Sequence, residues 1–219
     1  MNHPATALSR RYSLVRPLAV SRHADTLGHD DLHLRVAGSP AEFDLAHRLA
    51  HEAYVDAGYC DPTPDGRLHH YEDFDDRPET RVFLIRQGQD WVGTVSLTRE
   101  GEGGLPIDDG FLPDIQALQA QGRRVGVVWR LATLPGYRHS MQAVNALLKA
   151  CVEWGLDSSL DTTLMMVHAR HLKFYRRCFS MTLVREVAGV SKFSRIPVVL
   201  VRCDRENLPA RWLSRSAGH

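Results

Sequence analysis

The chain has 219 residues, enough for one substantial domain with a sizeable core and too few for two domains of ordinary size. Hydrophobic residues make up 43% of it and charged residues 24%, a composition that excludes collagen-like, coiled-coil and disordered proteins. Because 27 Lys and Arg are balanced by 26 Asp and Glu, we expect no partner, such as nucleic acid, that binds through overall positive charge.

The sequence predicts a cytoplasmic protein without a membrane span. The four cysteines lie far apart, without the C-x-x-C spacing of a zinc knuckle or a thioredoxin-like site, and free thiols fit a reducing compartment. The most apolar runs are only as long as a strand, and the first thirty residues contain no apolar stretch like that of a signal peptide. We expect a flexible arm at 1–30, one domain at 31–204 and a tail at 205–219.

The first predicted elements are a strand at 31–37, where apolar and polar residues alternate, and a helix at 39–56 with apolar residues at helical spacing. Ser39 can cap that helix, because a proline follows it and a glutamate stands three residues further on. A loop rich in Pro, Asp, Gly and His follows at 58–78. Loops of this length are usually functional or disordered.

The rest of the chain alternates apolar runs of strand length with segments of helical period. The predicted elements, in order, are a hairpin at 81–86 and 91–98, a short amphipathic piece at 111–120, a central strand at 124–133, a helix at 140–155, a strand at 164–169, a helix at 171–179, strands at 181–187 and 197–204, and a short terminal helix after 205. The central strand is apolar on both faces, which is typical of a strand covered on both sides. This order predicts an α/β (α+β) domain with a mixed sheet flanked by helices.

The order of elements, with the Pro-Gly-Tyr-Arg turn after the central strand, resembles the GNAT acyltransferase fold over residues 31–204. In that family the two central strands splay apart, and their unpaired backbone groups bind the pantetheine arm of an acyl donor. The turn that enters the next helix holds the donor's pyrophosphate. The resemblance therefore implies an acyltransferase that uses a phosphopantetheine thioester as co-substrate and has no tightly bound cofactor.

The strand, turn and helix N-terminus at 127–142 would bind this donor, since the first N–H groups of a helix are unpaired and favour anions. The expected donor-binding residues are Arg130, Leu131, Ala132 and Thr133 on the strand and Arg138, His139, Ser140, Met141 and Gln142 in the first turn. The turn lacks the glycines that the family uses for coenzyme A. An ordinary strand-to-helix turn of any α/β domain is the alternative.

Arg130 lies in the middle of the apolar strand, where an unpaired guanidinium would be costly, so it should have a partner. Either a buried ion pair or a role in the pocket would explain it. Arg130 and Leu131 also resemble part of the E-x-S-R-L/F strand motif of N-acyl amino acid synthases and N-acyl homoserine lactone synthases. Segments 48–59 and 72–75 resemble a helix and the D-x-F-D loop of the same branch.

Several positions depart from the pattern of that branch. Val127 and Trp129 replace the glutamate and serine of the strand motif, and two arginines of the branch fall on Ala50 and Ser96. These changes indicate either a divergent specificity or a lost activity. A catalytically inactive binding module that keeps the fold is therefore one alternative.

Tyr175, in a segment that resembles the H-x-x-F-Y motif of the synthases, is the candidate general acid. A phenol beside the thioester sulfur can protonate the departing thiolate, although a helix tyrosine that faces the core is the commoner explanation. Removal of a proton from the attacking amine needs a carboxylate or a neutral histidine. The candidates for this second role are Glu72, Asp75, His168 and His171. For the two carboxylates, a solvated acidic loop is the alternative.

The sequence does not predict a metal site. His47 and His51 stand one helical turn apart, the spacing of a two-histidine site, but no third ligand follows at a recognisable spacing. We expect both side chains to lie on a solvated helix face.

The expected acyl donor is an acyl carrier protein. A basic face is predicted beside the donor entrance, formed by Arg170, Lys173, Arg176 and Arg177. A carrier protein is acidic and presents its own phosphopantetheine, so it needs such a docking face more than a pyrophosphate pocket. Four solvated cations on a surface helix are the alternative.

Together these features predict an N-acyltransferase that moves a long-chain acyl group from an acyl carrier protein thioester to the amine of an amino acid or a similar small molecule. The amine would attack the thioester carbonyl, which backbone N–H groups of residues 130–133 would polarise. The closest rival is a GNAT N-acetyltransferase that depends on acetyl-CoA or acyl-CoA.

Overall fold

The computed structural model describes residues 32–137, 141–190 and 197–213. The strands are β1 (Leu32–Val36), β2 (Thr80–Gln87), β3 (Asp90–Arg99), β4 (Val125–Thr133), β5 (Thr162–His168), β6 (Thr182–Val190) and β7 (Pro197–Asp204). The helices are α1 (Pro40–Asp56), α2 (Leu112–Ala120), α3 (Met141–Asp157), α4 (Leu172–Phe179) and α5 (Ala210–Leu213). Every predicted strand and helix is present, with ends shifted by a few residues. None of the helices in these ranges is both long and apolar enough to cross a bilayer.

The strands form one mixed sheet in the order β1-β2-β3-β4-β5-β7-β6. β4 and β5 are parallel, and all other neighbouring strands are antiparallel. Helices cover both faces: α3 packs with Val128 on one face, whereas α1 packs with Val82 and α2 with Val127 on the other. The predicted mixed sheet flanked by helices is therefore confirmed, and β4 is buried on both faces as its composition indicates.

Local sequence determines where α1 begins. Ser39 Oγ accepts a hydrogen bond from the Glu42 N–H at 3.4 Å, while Glu42 Oε2 accepts one from the Gly38 N–H at 2.9 Å. This reciprocal arrangement satisfies donors that the start of a helix leaves unpaired. At the other end of α1, the Tyr54 hydroxyl donates to the Leu131 carbonyl of β4 at 3.3 Å, which fixes the helix against the central strand.

The central strands β4 and β5 separate before either of them ends. Their backbone pairing stops at Val128 and Met165, whereas β4 continues to Thr133 and β5 to His168. Beyond that point, the facing edges of the two strands have no strand partner among the described residues. This opening is the predicted splay, which is confirmed.

β4 carries a bulge at the start of its unpaired part. Arg130 and Leu131 together lie opposite the single residue Val95 of β3. Arg130 has a φ of +55°, in the left-handed region that residues other than glycine rarely adopt. On the facing strand, a Cβ atom at Gly93 would lie 2.6 Å from the Ala132 carbonyl oxygen, so glycine permits the close approach of β3 to the bulge.

The described part of the C-terminal segment packs on the sheet domain. Trp212 of α5 is buried beside Phe179, with ring centroids 4.5 Å apart. Its indole N–H donates to the Cys178 carbonyl at 3.0 Å. The predicted terminal helix is therefore present and adds to the core. The arm predicted at 1–30 lies outside the described residues.

Candidate active site

A cavity of about 370 Å³, which we call the splay cavity, occupies the opening between β4 and β5. Its described walls come from the end of α1, the splayed ends of both strands, the start of α3, and α4 with the segment before it. The predicted site residues that line it are Arg130, Leu131, Ala132, Thr133, Met141, His168, Arg170, His171 and Tyr175. The fold thus gathers candidate residues from well separated stretches of the sequence.

The predicted phosphate-binding turn is described only in part. Arg138, His139 and Ser140 fall outside the described residues, and Gln142 is exposed in the first turn of α3. Met141, from the same turn, reaches the splay cavity.

One side of the splay cavity is apolar. Met165 and Val167 of β5, Val144 of α3 and Phe174 of α4 contribute to it. Burial of each CH₂ group of a ligand against such a wall contributes about 0.8 kcal/mol. The wall therefore favours a substrate that carries a hydrocarbon chain.

A second apolar cavity of about 40 Å³ lies on the α3 face of the sheet. Val128 lines both cavities, and Leu148, Cys151 and Met181 are among the other walls of the smaller one. Burial raises the pKa of the Cys151 thiol, which keeps it protonated and unreactive. Val128 therefore stands between the splay cavity and further apolar space.

The Arg130 side chain is fully buried and forms a bidentate ion pair with Asp75. Its Nη2 donates to Asp75 Oδ1 at 2.5 Å and to Ser96 Oγ at 2.8 Å, and its Nη1 donates to Asp75 Oδ2 at 3.1 Å. The guanidinium also lies over the Trp129 ring, 4.5 Å from its centroid. Burial raises the pKa of the Asp75 carboxyl, but hydrogen bonds from His47 and Arg130 outweigh burial and lower it below its ordinary value. The buried ion pair predicted for Arg130 is therefore present; the residue also borders the splay cavity, where a role stays a prediction.

His47 and His51 do not lie on a solvated helix face, and that prediction is wrong. Only 1% of His47 is exposed; its Nδ1 donates to the Leu68 carbonyl at 2.5 Å, and its Nε2 lies 2.6 Å from Asp75 Oδ2. His51 is also buried and accepts a hydrogen bond from the loop backbone at 2.9 Å. The loop at 58–78 folds back over this face of α1, which helical periodicity alone does not reveal. Within the described ranges, no group of three His, Cys, Asp or Glu side chains could hold a metal ion.

Tyr175 of α4 lines the splay cavity and is 8% exposed. Burial, and then the neighbouring phenols of Tyr54 and Tyr59, raise the pKa of Tyr175 above its ordinary value. The phenol therefore stays protonated at neutral pH and can donate a proton. Tyr175 therefore lies where the sequence places it, and its role as general acid stays a prediction.

Polar side chains from two distant segments meet at the edge of the splay cavity. Arg170 Nη2 donates to Tyr59 Oη at 2.6 Å, and Arg170 Nε donates to His171 Nε2 at 3.2 Å. Tyr59 Oη itself lies 2.8 Å from His171 Nε2. Burial, and then the nearby Arg170 and His168, lower the pKa of His171. We call Tyr59, Arg170 and His171 the rim cluster.

Two of the four base candidates do not line the splay cavity within the described part of the chain. Glu72 lies at the surface, where its Oε1 is 2.7 Å from His69 Nδ1. Asp75 is buried, and its carboxylate is already bound by Arg130 and His47. Neither carboxylate is placed to take a proton directly from an amine in the cavity, whereas the two histidine candidates do line it.

Three described cavity residues with ionisable side chains are not singled out by the sequence: Tyr54, Tyr59 and His70. For Tyr59 a signal exists, because it ends the segment 48–59 that resembles a synthase helix. For His70 none exists, because it lies in a loop among exposed polar residues. Burial, and then Arg130 and His47, lower the pKa of His70 to about 3, so it is neutral at physiological pH.

The predicted docking cations fall into two groups. Lys173, Arg176 and Arg177 are exposed on α4, and their spacing puts them on one helix face. Arg170 belongs instead to the rim cluster. All four predicted cations are exposed, and their role in docking a carrier protein stays a prediction.

Comparison with known proteins identifies relatives that share this architecture. The model of the family described as "N-acyl amino acid synthase FeeM" matches residues 45–204 of the chain. The solved structure of FeeM, an N-acyl amino acid synthase from uncultured soil microbes, has a TM-score of 0.68 at 19% identity, over 84% of this chain and 98% of that one. No sequence among the curated proteins matches the chain.

Two further solved structures share the fold. A GNAT-family acetyltransferase from Streptococcus pneumoniae has a TM-score of 0.54 at 14% identity, over 78% of this chain and 98% of that one. BjaI, a CoA-dependent acyl-homoserine lactone synthase, has a TM-score of 0.55 at 17% identity, over 85% of this chain and 90% of that one. The predicted GNAT fold is therefore confirmed.

Proposed function

The chain belongs to the N-acyl amino acid synthase FeeM family and is an acyltransferase, and from this premise we propose that it transfers a long-chain acyl group from an acyl carrier protein to the amine of an amino acid or a similar small molecule. The observation that carries the proposal is the splay cavity. It combines an unpaired edge of β4, an apolar wall and the protonated phenol of Tyr175.

The proposed reaction is direct attack of the amine on the thioester carbonyl. The thioester lies along the unpaired edge of β4, whose backbone N–H groups polarise the carbonyl oxygen. As the tetrahedral intermediate collapses, the C–S bond breaks and Tyr175 protonates the departing sulfur. The nitrogen carries a positive charge after its attack and loses one proton, which replaces the proton that Tyr175 gives up, so the phenol is restored.

Two features support a carrier protein as donor. The turn at 138–142 has no glycine that would let a pyrophosphate approach its backbone closely. Lys173, Arg176 and Arg177 form an exposed basic face on α4, which also supplies Tyr175 and Phe174 to the cavity. An acidic carrier protein docked on this face could insert its phosphopantetheine into the splay cavity.

The test is an assay of the purified protein with a long-chain acyl carrier protein, the matching acyl-CoA or acetyl-CoA, and a mixture of amino acids and simple amines. Mass spectrometry of the products identifies both the acyl chain and the acceptor. We expect N-acyl amino acids from the acyl carrier protein, and a rate 10²- to 10⁴-fold lower for Tyr175→Phe.

Tyr71→Phe is the matched control, because the Tyr71 hydroxyl bonds Asp108 at 3.0 Å and does not line the splay cavity within the described residues. This variant should retain the wild-type rate. Acetyl transfer from acetyl-CoA with no use of the carrier protein would contradict the proposed donor. Folded protein that transfers no acyl group from any donor would contradict the proposed activity.

A further inference from the structure

The rim cluster contains a continuous hydrogen-bonded path between a phenol and an imidazole. Arg170 Nη2 donates to Tyr59 Oη at 2.6 Å, and Tyr59 Oη lies 2.8 Å from His171 Nε2. Arg170 Nε also donates to His171 Nε2, at 3.2 Å. Tyr59 stands more than a hundred residues before Arg170 and His171 in the sequence, and all three line the splay cavity.

The donors determine where the protons lie. Arginine can only donate, so His171 Nε2 is an acceptor and its imidazole proton is on Nδ1. Because Nε2 carries no proton, the Tyr59 O–H is the donor in its contact with His171 Nε2, while Tyr59 Oη accepts an N–H from Arg170. Because burial, Arg170 and His168 lower the pKa of His171, the imidazole is neutral at physiological pH and able to accept a proton.

We propose that Tyr59 is a catalytic residue that takes a proton from the ammonium group of the acceptor while it passes its own proton to His171 Nε2. The steps balance: the substrate N–H bond breaks and a Tyr59 O–H bond forms, while the original Tyr59 proton moves to His171. The products are a neutral amine, ready to attack, and an imidazolium that releases its proton to water. Arg170 stabilises the negative charge that develops on the Tyr59 oxygen during the transfer.

The proposal rests on the proposed function and fills a gap in it. β4 has Val127 where the related synthases carry a glutamate, and the Asp75 carboxylate is bound by Arg130. The rim cluster is a neutral proton acceptor on the cavity wall, and it needs no carboxylate. Here His171 acts through Tyr59, so it is a positioning and proton-holding residue, whereas Tyr59 contacts the substrate.

Other ionisable groups around the rim cluster determine its pH dependence. The His168 ring lies near both other rings, with its centroid 5.7 Å from that of Tyr59 and 5.9 Å from that of His171. Its Nδ1 accepts the Arg170 backbone N–H at 3.0 Å, so the neutral ring carries its proton on Nε2. Tyr54 lies on the α1 side, 5.7 Å from Tyr59 between ring centroids. Because burial and then Arg170 lower the pKa of His168, this second ring does not add a positive charge to the rim cluster at neutral pH.

The test is the pH dependence of acyl transfer in the full-length wild type, Tyr59→Phe and His171→Gln. In the wild type, kcat should fall in acid below pH 6.5, as His171 becomes protonated and can no longer take a proton. We expect kcat of Tyr59→Phe to be 10²- to 10⁴-fold lower at pH 7, with the KM for the acyl donor changed less than twofold. That deficit should shrink at alkaline pH, where the acceptor is already a free amine.

His171→Gln keeps an acceptor for the Tyr59 hydroxyl but cannot hold a proton. Its kcat should be lower than that of the wild type, and the acid limb should disappear. His69→Gln is the matched control, because His69 is exposed and does not line the splay cavity within the described residues. Thermal unfolding of each variant checks that the fold is intact.

A second measurement, an NMR titration of His171, does not depend on catalytic activity. The Tyr59 hydroxyl stabilises the neutral form of His171, so Tyr59→Phe should raise the pKa of His171 in an NMR titration. An unchanged pKa, a Tyr59→Phe enzyme with more than half of the wild-type kcat, or an acid limb that persists in His171→Gln would each overturn the relay. An inactive wild type would overturn the proposed function and the relay together, whereas an active wild type with unaffected variants would overturn the relay alone.

Discussion

Asp75→Asn isolates the buried ion pair under the bulge of β4. The Arg130 guanidinium has no exposed side-chain surface, and Asp75 is the only carboxylate that contacts it within the described residues. The variant keeps the shape of the side chain but leaves the guanidinium buried without a counter-charge. Removal of one partner from a buried pair costs about 3–5 kcal/mol.

The remaining contacts of Arg130 do not replace the lost charge. Ser96 Oγ accepts from Nη2 at 2.8 Å, and His47 Nε2 lies 2.9 Å from Nη1, but neither group is an anion. We therefore expect a loss of about 4 kcal/mol in the free energy of unfolding, near the middle of that range. For a domain of this size the melting temperature should fall by roughly 8–16 °C.

Urea unfolding at pH 7, followed by circular dichroism, measures this cost. Asp76→Asn is the matched control, because Asp76 is the exposed neighbour of Asp75 in the sequence. A second variant, Asp75→Leu/Arg130→Met, removes both charges and should recover most of the lost stability, because an apolar pair avoids the desolvation of both ions. A cost below about 1 kcal/mol for Asp75→Asn, or a double variant as unstable as the single one, would refute this reasoning.

The dependence of protein stability on acid pH shows whether the Asp75 carboxylate stabilises the fold. The pKa of the Asp75 carboxyl is lowered in the folded protein. The carboxylate therefore stabilises the fold at pH values above its ordinary pKa of 3.8, and this contribution is lost as the pH falls through the folded-state pKa. Wild-type stability should therefore fall more steeply below pH 3.8 than that of Asp75→Asn. An equal loss of stability with falling pH in the two proteins would mean that the Asp75 carboxylate does not stabilise the fold.

Three further substitutions test other parts of the structure. Gly93→Ala should cost about 1–3 kcal/mol in urea unfolding, because its Cβ would meet the Ala132 carbonyl oxygen at 2.6 Å. Val128→Ala should connect the splay cavity with the smaller apolar cavity and shift the preferred acyl chain to a longer one. Competition between acyl donors should show an increase in kcat/KM of about fourfold for each added CH₂. Arg176→Glu/Arg177→Glu should lower kcat/KM at least tenfold with an acyl carrier protein and several-fold less with the matching acyl-CoA, and equal effects on both donors would contradict docking on α4.

The order of elements was predictable because local periodicity determines it. Ser39 caps α1 through Glu42, and the two-sided apolar pattern of 124–133 identifies a central strand, so neighbouring residues alone carry these predictions. The bulge was not predictable, because a positive φ at Arg130 is imposed by the pairing of β4 with β3. Nor does local sequence show that β7 lies between β5 and β6, since strand order in a sheet depends on how the chain closes.

The site was predictable where a single segment carries it and not where distant segments meet. Tyr175 and Arg130 stand out from their own neighbours, by motif and by charge. The bond between Tyr59 and His171 joins positions that no spacing rule connects, and the burial of His47 depends on a loop whose path the sequence does not specify. Long-range contacts of this kind also explain why surface exposure was predicted wrongly for the histidines of α1.

The departures from the synthase pattern become coherent once the contacts around Arg130 are considered. Ser96, where the branch has an arginine, binds the Arg130 guanidinium through its hydroxyl. His47, one helical turn before the second missing arginine at Ala50, contacts both Asp75 and Arg130. The formal charges of Arg130 and Asp75 cancel.

The loss of two arginines together with the strand glutamate thus leaves the charges of Arg130 and Asp75 in balance, and neither of the two is unpaired. Random decay of an inactive protein would not preserve that balance around a fully buried guanidinium, because each unmatched loss would cost several kcal/mol. Val127 replaces the strand glutamate of the synthases, and in the proposed relay the rim cluster supplies the proton acceptor instead. These coordinated changes favour an enzyme with an altered set of ionisable groups over an inactive binding module.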